Sequence, residues 1–213
     1  MMEIKRFVSN QIGENCYLIW DETKEAAIID CGAIDSVKQQ RISQFVADNG
    51  LTLKLVLQTH THFDHIFGLP FLYREYGLRP MFHIAEQPIY DAAPQMSSEW
   101  FGVDIPSPLP APQAYLADNS EVVFGNTTLK VLHTPGHTPG GVSFYEPNSG
   151  VVFTGDTLFA GGIGRTDLPL GNYADEINSI RQRLFTLPPS TVVYPGHGPS
   201  STIGDESVSN PYI

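Results

Sequence analysis

Thr59-His60-Thr61-His62-Phe63-Asp64-His65 places four metal-ligand side chains within six residues and uses three of the seven histidines in the chain. Imidazole and carboxylate suit zinc, iron or manganese. The preceding run, Leu53-Lys54-Leu55-Val56-Leu57-Gln58, reads as a short buried strand, and Gly68 and Pro70 follow closely. The cluster therefore sits where a strand ends and a helix begins, a common place for ligands in α/β architectures. His60 and His62 lie two apart on an extended segment and can aim the same way. Asp64 and His65 lie past the bend and can aim elsewhere, so one loop can supply two ligands to each of two ions. A surface loop that is merely polar rarely collects ligand types at this density.

Outward from this loop, composition narrows the possibilities. The 213 residues fit one domain with a sizeable core. Twelve Lys and Arg stand against 23 Asp and Glu, a net charge of −11. That balance argues against nucleic acid and against anionic lipid as partners. The first twenty residues lack the pattern of a signal peptide, and no apolar run approaches the roughly 18–20 residues of a spanning helix. A cytoplasmic location is expected, with Cys16 and Cys31 reduced and buried as small hydrophobes near strands.

Strands are predicted at 4–8, 16–20 and 26–29, the third ending at Asp30-Cys31-Gly32, where Asp30 serves either as a turn former or as a carboxylate behind a ligand. Residues 36–49 have helical periodicity closed by Asn49-Gly50, and 69–76 form a helix ended by Gly77. A strand at 81–84 carries His83, read as a packed core histidine, and 86–93 form a short helix. Residues 94–112 contain five prolines among Met96, Trp100, Phe101 and Ile105. Proline opposes regular structure there, so an irregular wall over a pocket or a surface crossover is expected. Strands return at 121–124, 128–132, 142–145 and 151–154, with a hairpin turn at Gly125-Asn126. An amphipathic helix over 174–187 precedes a last strand at 191–194. Strand-rich and then helical segments occur twice, which suggests two halves stacked sheet to sheet with helices outside.

Three further ligand types stand at strand ends beside glycine: His137 in Pro135-Gly136-His137, Asp156 in Gly155-Asp156, and His197 in Gly196-His197-Gly198. Glycine lets the backbone turn sharply enough for a short side chain to reach inward. With the first loop they make five histidines and two aspartates, enough for two ions with one shared carboxylate. His133, four residues before His137, reads as a buried histidine or one supporting a ligand.

The series His60-x-His62-x-Asp64-His65, then His137, Asp156 and His197, resembles the metallo-β-lactamase superfamily over essentially the whole chain. The resemblance implies an α+β fold, an αββα sandwich with the metal site at the edge between the two sheets, as a single domain over residues 1–213. It implies one metal on His60, His62 and His137, a second on Asp64, His65 and His197, and Asp156 between them. Zinc is the first expectation, with iron or manganese as alternatives. Such a pair acidifies a bridging water to hydroxide near neutral pH, and Asp64 would orient the nucleophile or take its proton.

Leu158-Phe159-Ala160-Gly161-Gly162-Ile163-Gly164-Arg165 resembles the corresponding loop of glyoxalase II, hydroxyacylglutathione hydrolase. There a basic residue at the position of Arg165 grips a glutathione carboxylate, which makes Arg165 the expected contact for a substrate anion, with an ion pair to Asp167 as the alternative. Asp167 and Pro199 stand where that family carries substrate-binding tyrosines, and the 16 residues after His197 are too few for its C-terminal helical glutathione-binding domain. The expected activity is hydrolysis of a small thioester such as an S-2-hydroxyacyl thiol. The competing resemblance is to a glutathione persulfide dioxygenase, which shares a Gly-Arg-Thr-Asp run and would use one iron on His60, His137 and Asp156.

Overall fold

The computed structural model describes residues 2–213. In chain order the elements are β1 (Glu3–Val8), β2 (Asn15–Trp20), β3 (Glu25–Ile29), α1 (Ser36–Asp48), β4 (Thr52–Leu57), α2 (Phe63–Ile66), α3 (Leu69–Tyr76), β5 (Pro80–His83), α4 (Gln87–Phe101), β6 (Ala114–Leu116), β7 (Glu121–Phe124), β8 (Thr127–His133), β9 (Val142–Glu146), β10 (Val151–Gly155), β11 (Leu158–Phe159), β12 (Gly162–Ile163), α5 (Tyr173–Ser179), β13 (Val192–Pro195), β14 (Ser201–Thr202) and α6 (Ile203–Ser209). One six-stranded sheet runs β1-β2-β3-β4-β5-β6 and the other β14-β13-β10-β9-β8-β7. The first is antiparallel as far as β3 and parallel from β3 to β6. In the second, β10 and β13 are parallel and the remaining pairs antiparallel.

Strand alternation builds the layers. Along β2, Tyr17 and Ile19 face the second sheet, where Leu129, Val131, Phe144 and Phe153 meet them. Leu18 and Trp20 face the other way, onto Ile42 and Val46 of α1 and Leu72 of α3. Across the second sheet, Val152 and Val193 turn outward onto Ile180, Leu184 and Ile203. Two sheets face to face with helices on both outer surfaces are the αββα sandwich expected from the sequence. Each fully buried Leu, Ile or Phe contributes roughly 1.5–3 kcal/mol.

Local signals set most helix ends. Asp35 caps α1 by accepting from the Lys38 amide, and Gly77, at φ 68°, ends α3. Two expectations are corrected. The helix predicted to stop before Pro94 continues through it to Phe101. Pro94 forfeits one helical hydrogen bond, a cost of about 3 kcal/mol, but Ile89, Tyr90, Ala93 and Ser97 form a buried face, and Ser97 Oγ donates to the Val103 carbonyl. The irregular segment thus begins at Gly102. The helix predicted over 174–187 is regular to Ser179 and then widens into a π turn, Ile180–Leu184, with Phe185 N donating to the Ile180 carbonyl. That shift keeps both Ile180 and Leu184 in the outer core. A C-terminal helix, α6, was not anticipated; Thr202 caps it and Ile203 anchors it.

His83 is also corrected. It is half-buried and stacks on His133 with ring centroids 4.3 Å apart, rather than lying in the core. His133 Nε2 donates to the Pro139 carbonyl and so ties the turn that carries His137. Cys16 and Cys31 are free and buried, as expected.

Candidate metal centre

The ends of β4, β8, β10 and β13 deliver Thr59–His65, His137, Asp156 and His197 to one edge of the sandwich. The first loop is pinned by side chains from elsewhere. Thr59 N donates to Asp30 Oδ1 at 2.8 Å, Thr61 N to Glu86 Oε2 at 2.8 Å, Gln58 Nε2 to the His65 carbonyl and Asn10 Nδ2 to the Asp64 carbonyl. With its backbone held at four points, the loop presents its histidines in fixed directions.

Asp30 does both things the sequence left open. It occupies the left-handed region at φ 50°, and its carboxylate sets two imidazole tautomers. Oδ2 accepts from His65 Nδ1 at 3.1 Å, leaving His65 Nε2 to face the site. The same oxygen accepts the Thr59 hydroxyl proton at 2.6 Å, so that hydroxyl acts as acceptor for His60 Nδ1 at 3.1 Å and His60 Nε2 is left bare. His137 Nδ1 donates to the Arg165 carbonyl at 2.7 Å, and His197 Nδ1 to the Ile12 carbonyl at 3.2 Å. Four imidazoles thus turn Nε2 inward, while His62 turns Nδ1 inward, 2.9 Å from His137 Nε2.

The inward atoms fall into two groups, His60 with His62 and His137, and Asp64 with His65 and His197. Asp156 lies between: Oδ1 is 3.4 Å from His65 Nε2, and Oδ2 is 3.7 Å from His137 Nε2 and 3.6 Å from His197 Nε2. His60 Nε2, His65 Nε2 and Asp156 Oδ1 are buried without any hydrogen-bond partner. Buried polar atoms are rarely left so, and a divalent cation in each group would satisfy them. A third combination, Asp30 with His60 and His65, is geometrically compact, but the Asp30 oxygens are already engaged by Thr59 and His65.

Electrostatics agree with the donor set. Burial, reinforced by its neighbours' charge, holds His60 well below its ordinary value and brings His62 down to about 3, so both offer lone pairs. Burial pushes Asp64 and Asp156 up, but His65 and His197 outweigh it and both carboxylates stay ionised. For His65, burial lowers the pKa, yet Asp64 and Asp156 leave it well raised: the surroundings favour positive charge at Nε2.

Three buried glutamates escaped the sequence reading. Glu86 clasps the amides of Thr61 and Gly140. Glu176 Oε2 accepts from the His137 amide at 2.9 Å, and burial drives its pKa up to about 9. Gly136 sits at φ 146°, where a Cβ would fall 2.3 Å from the Glu176 backbone, so glycine is required for that approach. Glu14 is fully buried beside Gly32, and both its carboxylate oxygens lack partners. An acid on the apolar side of the helix at 173–179 was the available signal for Glu176; Glu14 and Glu86 carry none.

Arg165 stands on the wall of the cleft above these groups, its fork closed on Asp167 with both contacts at 2.8 Å. The cleft holds about 400 Å³ and is also lined by Ile12, Phe63, Trp100, Phe159, Ile163 and Leu168.

Residues 10–197 match the model of the metallo-beta-lactamase superfamily. The chain belongs to that superfamily. It is 38% identical over 207 residues to the hydroxyacylglutathione hydrolase GloC of Haemophilus influenzae, covering 94% of this chain and 92% of that protein. Among solved structures, the BLEG-1 B3 metallo-beta-lactamase superposes with a TM-score of 0.89 at 34% identity, over 100% of this chain and 99% of that one. TTHA1623 in a di-iron-bound form gives 0.87 at 36%, over 98% and 100%, and ETHE1 from Myxococcus xanthus 0.79 at 30%, over 98% and 83%. The superfamily fold is therefore common to these proteins and this chain, which gathers at its cleft His-rich groups able to hold a metal ion. Among the described residues no helix is long and apolar enough to cross a membrane.

Proposed function

We propose that this chain hydrolyses a small thioester, of the S-2-hydroxyacyl thiol class, at two divalent ions. His60, His62 and His137 would hold one, Asp64, His65 and His197 the other, with Asp156 between them; zinc is the ion we propose, and the donor set also accepts iron or manganese. The observation that carries this reading is the pair of three-ligand groups flanking Asp156 and open to one cleft. Closed four-ligand shells serve structure, whereas an open face leaves room for water and substrate.

When bound, such ions supply an acidified water and a Lewis acid for the acyl oxygen. The chain's residues do the rest. Asp64, ionised and 3.2 Å from His197 Nε2, would orient the water and take its proton. Hydrolysis gives OH to the acyl carbon, breaks the C–S bond and leaves a thiol, a leaving group that needs little protonation. Arg165 is the proposed contact for a substrate anion, in competition with Asp167. The similarity to GloC supports the thioester class.

Metal analysis of freshly purified protein beside a thioester panel including S-lactoylglutathione tests this. About two ions per chain with turnover is the expected result. One iron per chain, with oxygen consumed in the presence of glutathione persulfide, would overturn it in favour of the dioxygenase reading.

A further inference from the structure

We propose that Lys5, Arg6, Lys38 and Arg41 form a phosphate-binding pocket beside the metal cleft, across the β1–β2 loop from it. The ligand is a phosphate group, borne either by the thiol carrier of a substrate in the cleft or by a separate molecule. The pocket goes beyond the hydrolase reading and does not depend on it.

The pocket holds about 350 Å³, and Phe7 and Ser9 line it beside the four cations, with no acid on its wall. Four of the twelve Lys and Arg of a chain with net charge −11 are gathered there. A concave place whose charge runs against that of the whole chain concentrates anions locally. Elsewhere the cations are neutralised where they stand: Lys54 pairs with Glu25, Arg74 with Glu75, Arg165 with Asp167 and Arg183 with Asp118. Among the described residues, no carboxylate pairs with Lys5, Arg6, Lys38 or Arg41.

Local structure brings the four together. β1 is the free edge of its sheet, so side chains from both of its faces can reach round it: Lys5 and Phe7 leave one face and Arg6 the other. Lys5 Nζ stands 5.5 Å from the centroid of the Phe45 ring and 5.9 Å from that of Phe7, contacts that hold the ammonium without neutralising it. Lys38 and Arg41 lie three apart on α1 and so share a face. Arg6 Nη1 donates to the Gly198 carbonyl at 3.2 Å, which leaves the rest of its fork for an anion. A single carboxylate would offset one of these cations. A phosphate brings up to two charges and several acceptor oxygens, and it matches guanidinium geometry. The volume is that of a small-ligand site, and the acidic chain repels a long polyanion such as nucleic acid.

The pocket and the cleft share a wall. Ser9 lines the first and Ile12 the second, so their backbones are at most about 11 Å apart. Arg6 holds the residue that follows His197. A phosphate on a flexible arm can therefore lie in the pocket while the other end of the molecule lies in the cleft.

Phosphorus NMR titration of inorganic phosphate into the zinc-loaded protein, at low ionic strength, tests the site. Phosphate bound at the metal ions survives in the double variant Lys38→Ala/Arg41→Ala, and phosphate bound in the pocket does not. The expected result is a saturable component weakened about tenfold or more in that variant, with metal content and turnover of S-lactoylglutathione, which carries no phosphate, unchanged. Lys38→Gln/Arg41→Gln, which keeps the side-chain bulk, should show the same loss. Equal binding by the variants, or binding at the metal ions only, would overturn the proposal. Kinetics separate the two sources, and either result upholds the pocket. If the thiol carrier bears the phosphate, the double variant raises KM for S-lactoyl-coenzyme A and leaves that for S-lactoylpantetheine unmoved. If a separate molecule bears it, neither KM moves while phosphate binding is still lost. Loss of phosphate binding in the variants of a protein that hydrolyses no thioester would sink the hydrolase reading and leave the pocket standing.

Discussion

The two ends of the sandwich both bury carboxylates, and they use them in opposite ways. At the end away from the cleft, Asp21 accepts from Thr23 N, Thr23 Oγ1, Asn126 N and Thr127 Oγ1, and Glu146 accepts from Asn148 N and Ser149 N. Each of these acids finishes a turn. At the cleft end, Glu14, His60, His65, Asp156 and Glu176 keep buried atoms with no partner. Among the described residues, every buried imidazole or carboxylate atom left bare is at that end. Of these, His60, His65 and Asp156 lie in or between the two three-ligand groups, where a bound cation would satisfy them.

Removing a ligand should break the contrast most severely. His62→Ala and His65→Ala each take one donor from a different group and should lower affinity for the corresponding ion by at least ~100-fold, with thioester turnover falling alongside. Metal content after dialysis checks this, and a full complement in either variant would contradict the grouping. One layer out, Asp30→Asn disturbs two tautomers at once. A loss of roughly 10–100-fold in metal affinity is expected, read by competition with a chelator, with the fold intact by circular dichroism.

The far end should respond in stability alone. Asp21→Ala strands two turn amides and two hydroxyls and should cost about 2 kcal/mol in denaturant unfolding, with metal content and turnover unchanged. The smallest effect concerns pH. Burial raises the Glu86 pKa above 4.5, against the pull of its hydrogen bonds from Thr138, Thr61 and Gly140. The folded state thus holds a proton that the unfolded state gives up, so the group's stabilisation is complete below pH 4.5 and is lost as pH rises through the raised value. Glu86→Gln should flatten that part of the stability profile; a profile unchanged between pH 4.5 and 8 would mean that Glu86 does not titrate in this way.

The same contrast explains what could be read from the sequence. The seven residues His60 to His197 were legible because each stands beside a turn at a strand end, where a polar side chain in an apolar context is conspicuous. The layers were legible because strands such as β2 alternate cleanly between two cores. Glu14 and Glu86 were not legible, since what distinguishes them is a contact with a loop dozens of residues away. The continuation of α4 through Pro94 was missed for a related reason. Proline is a local signal, and the buried face of Ile89, Tyr90, Ala93 and Ser97 that overrides it is a tertiary one. Arg165 was singled out by its motif, and the structure puts it on the cleft wall with its fork on Asp167.

The join between the first and last parts of the chain has a consequence for how the protein comes apart. Asn15 N donates to the Gly196 carbonyl, Asn15 Nδ2 to those of Pro195 and Gly198, and Tyr17 Oη to that of Pro195. Residues about 180 positions apart are thereby laced together directly behind His197. The lacing is a drawstring: slackening it would pull His197 away from Asp64 and His65, and an ion bound there would hold it tight. In hydrogen exchange, the amides of Asn15 and Gly196 should therefore open as one unit, and that unit should slow when metal is added.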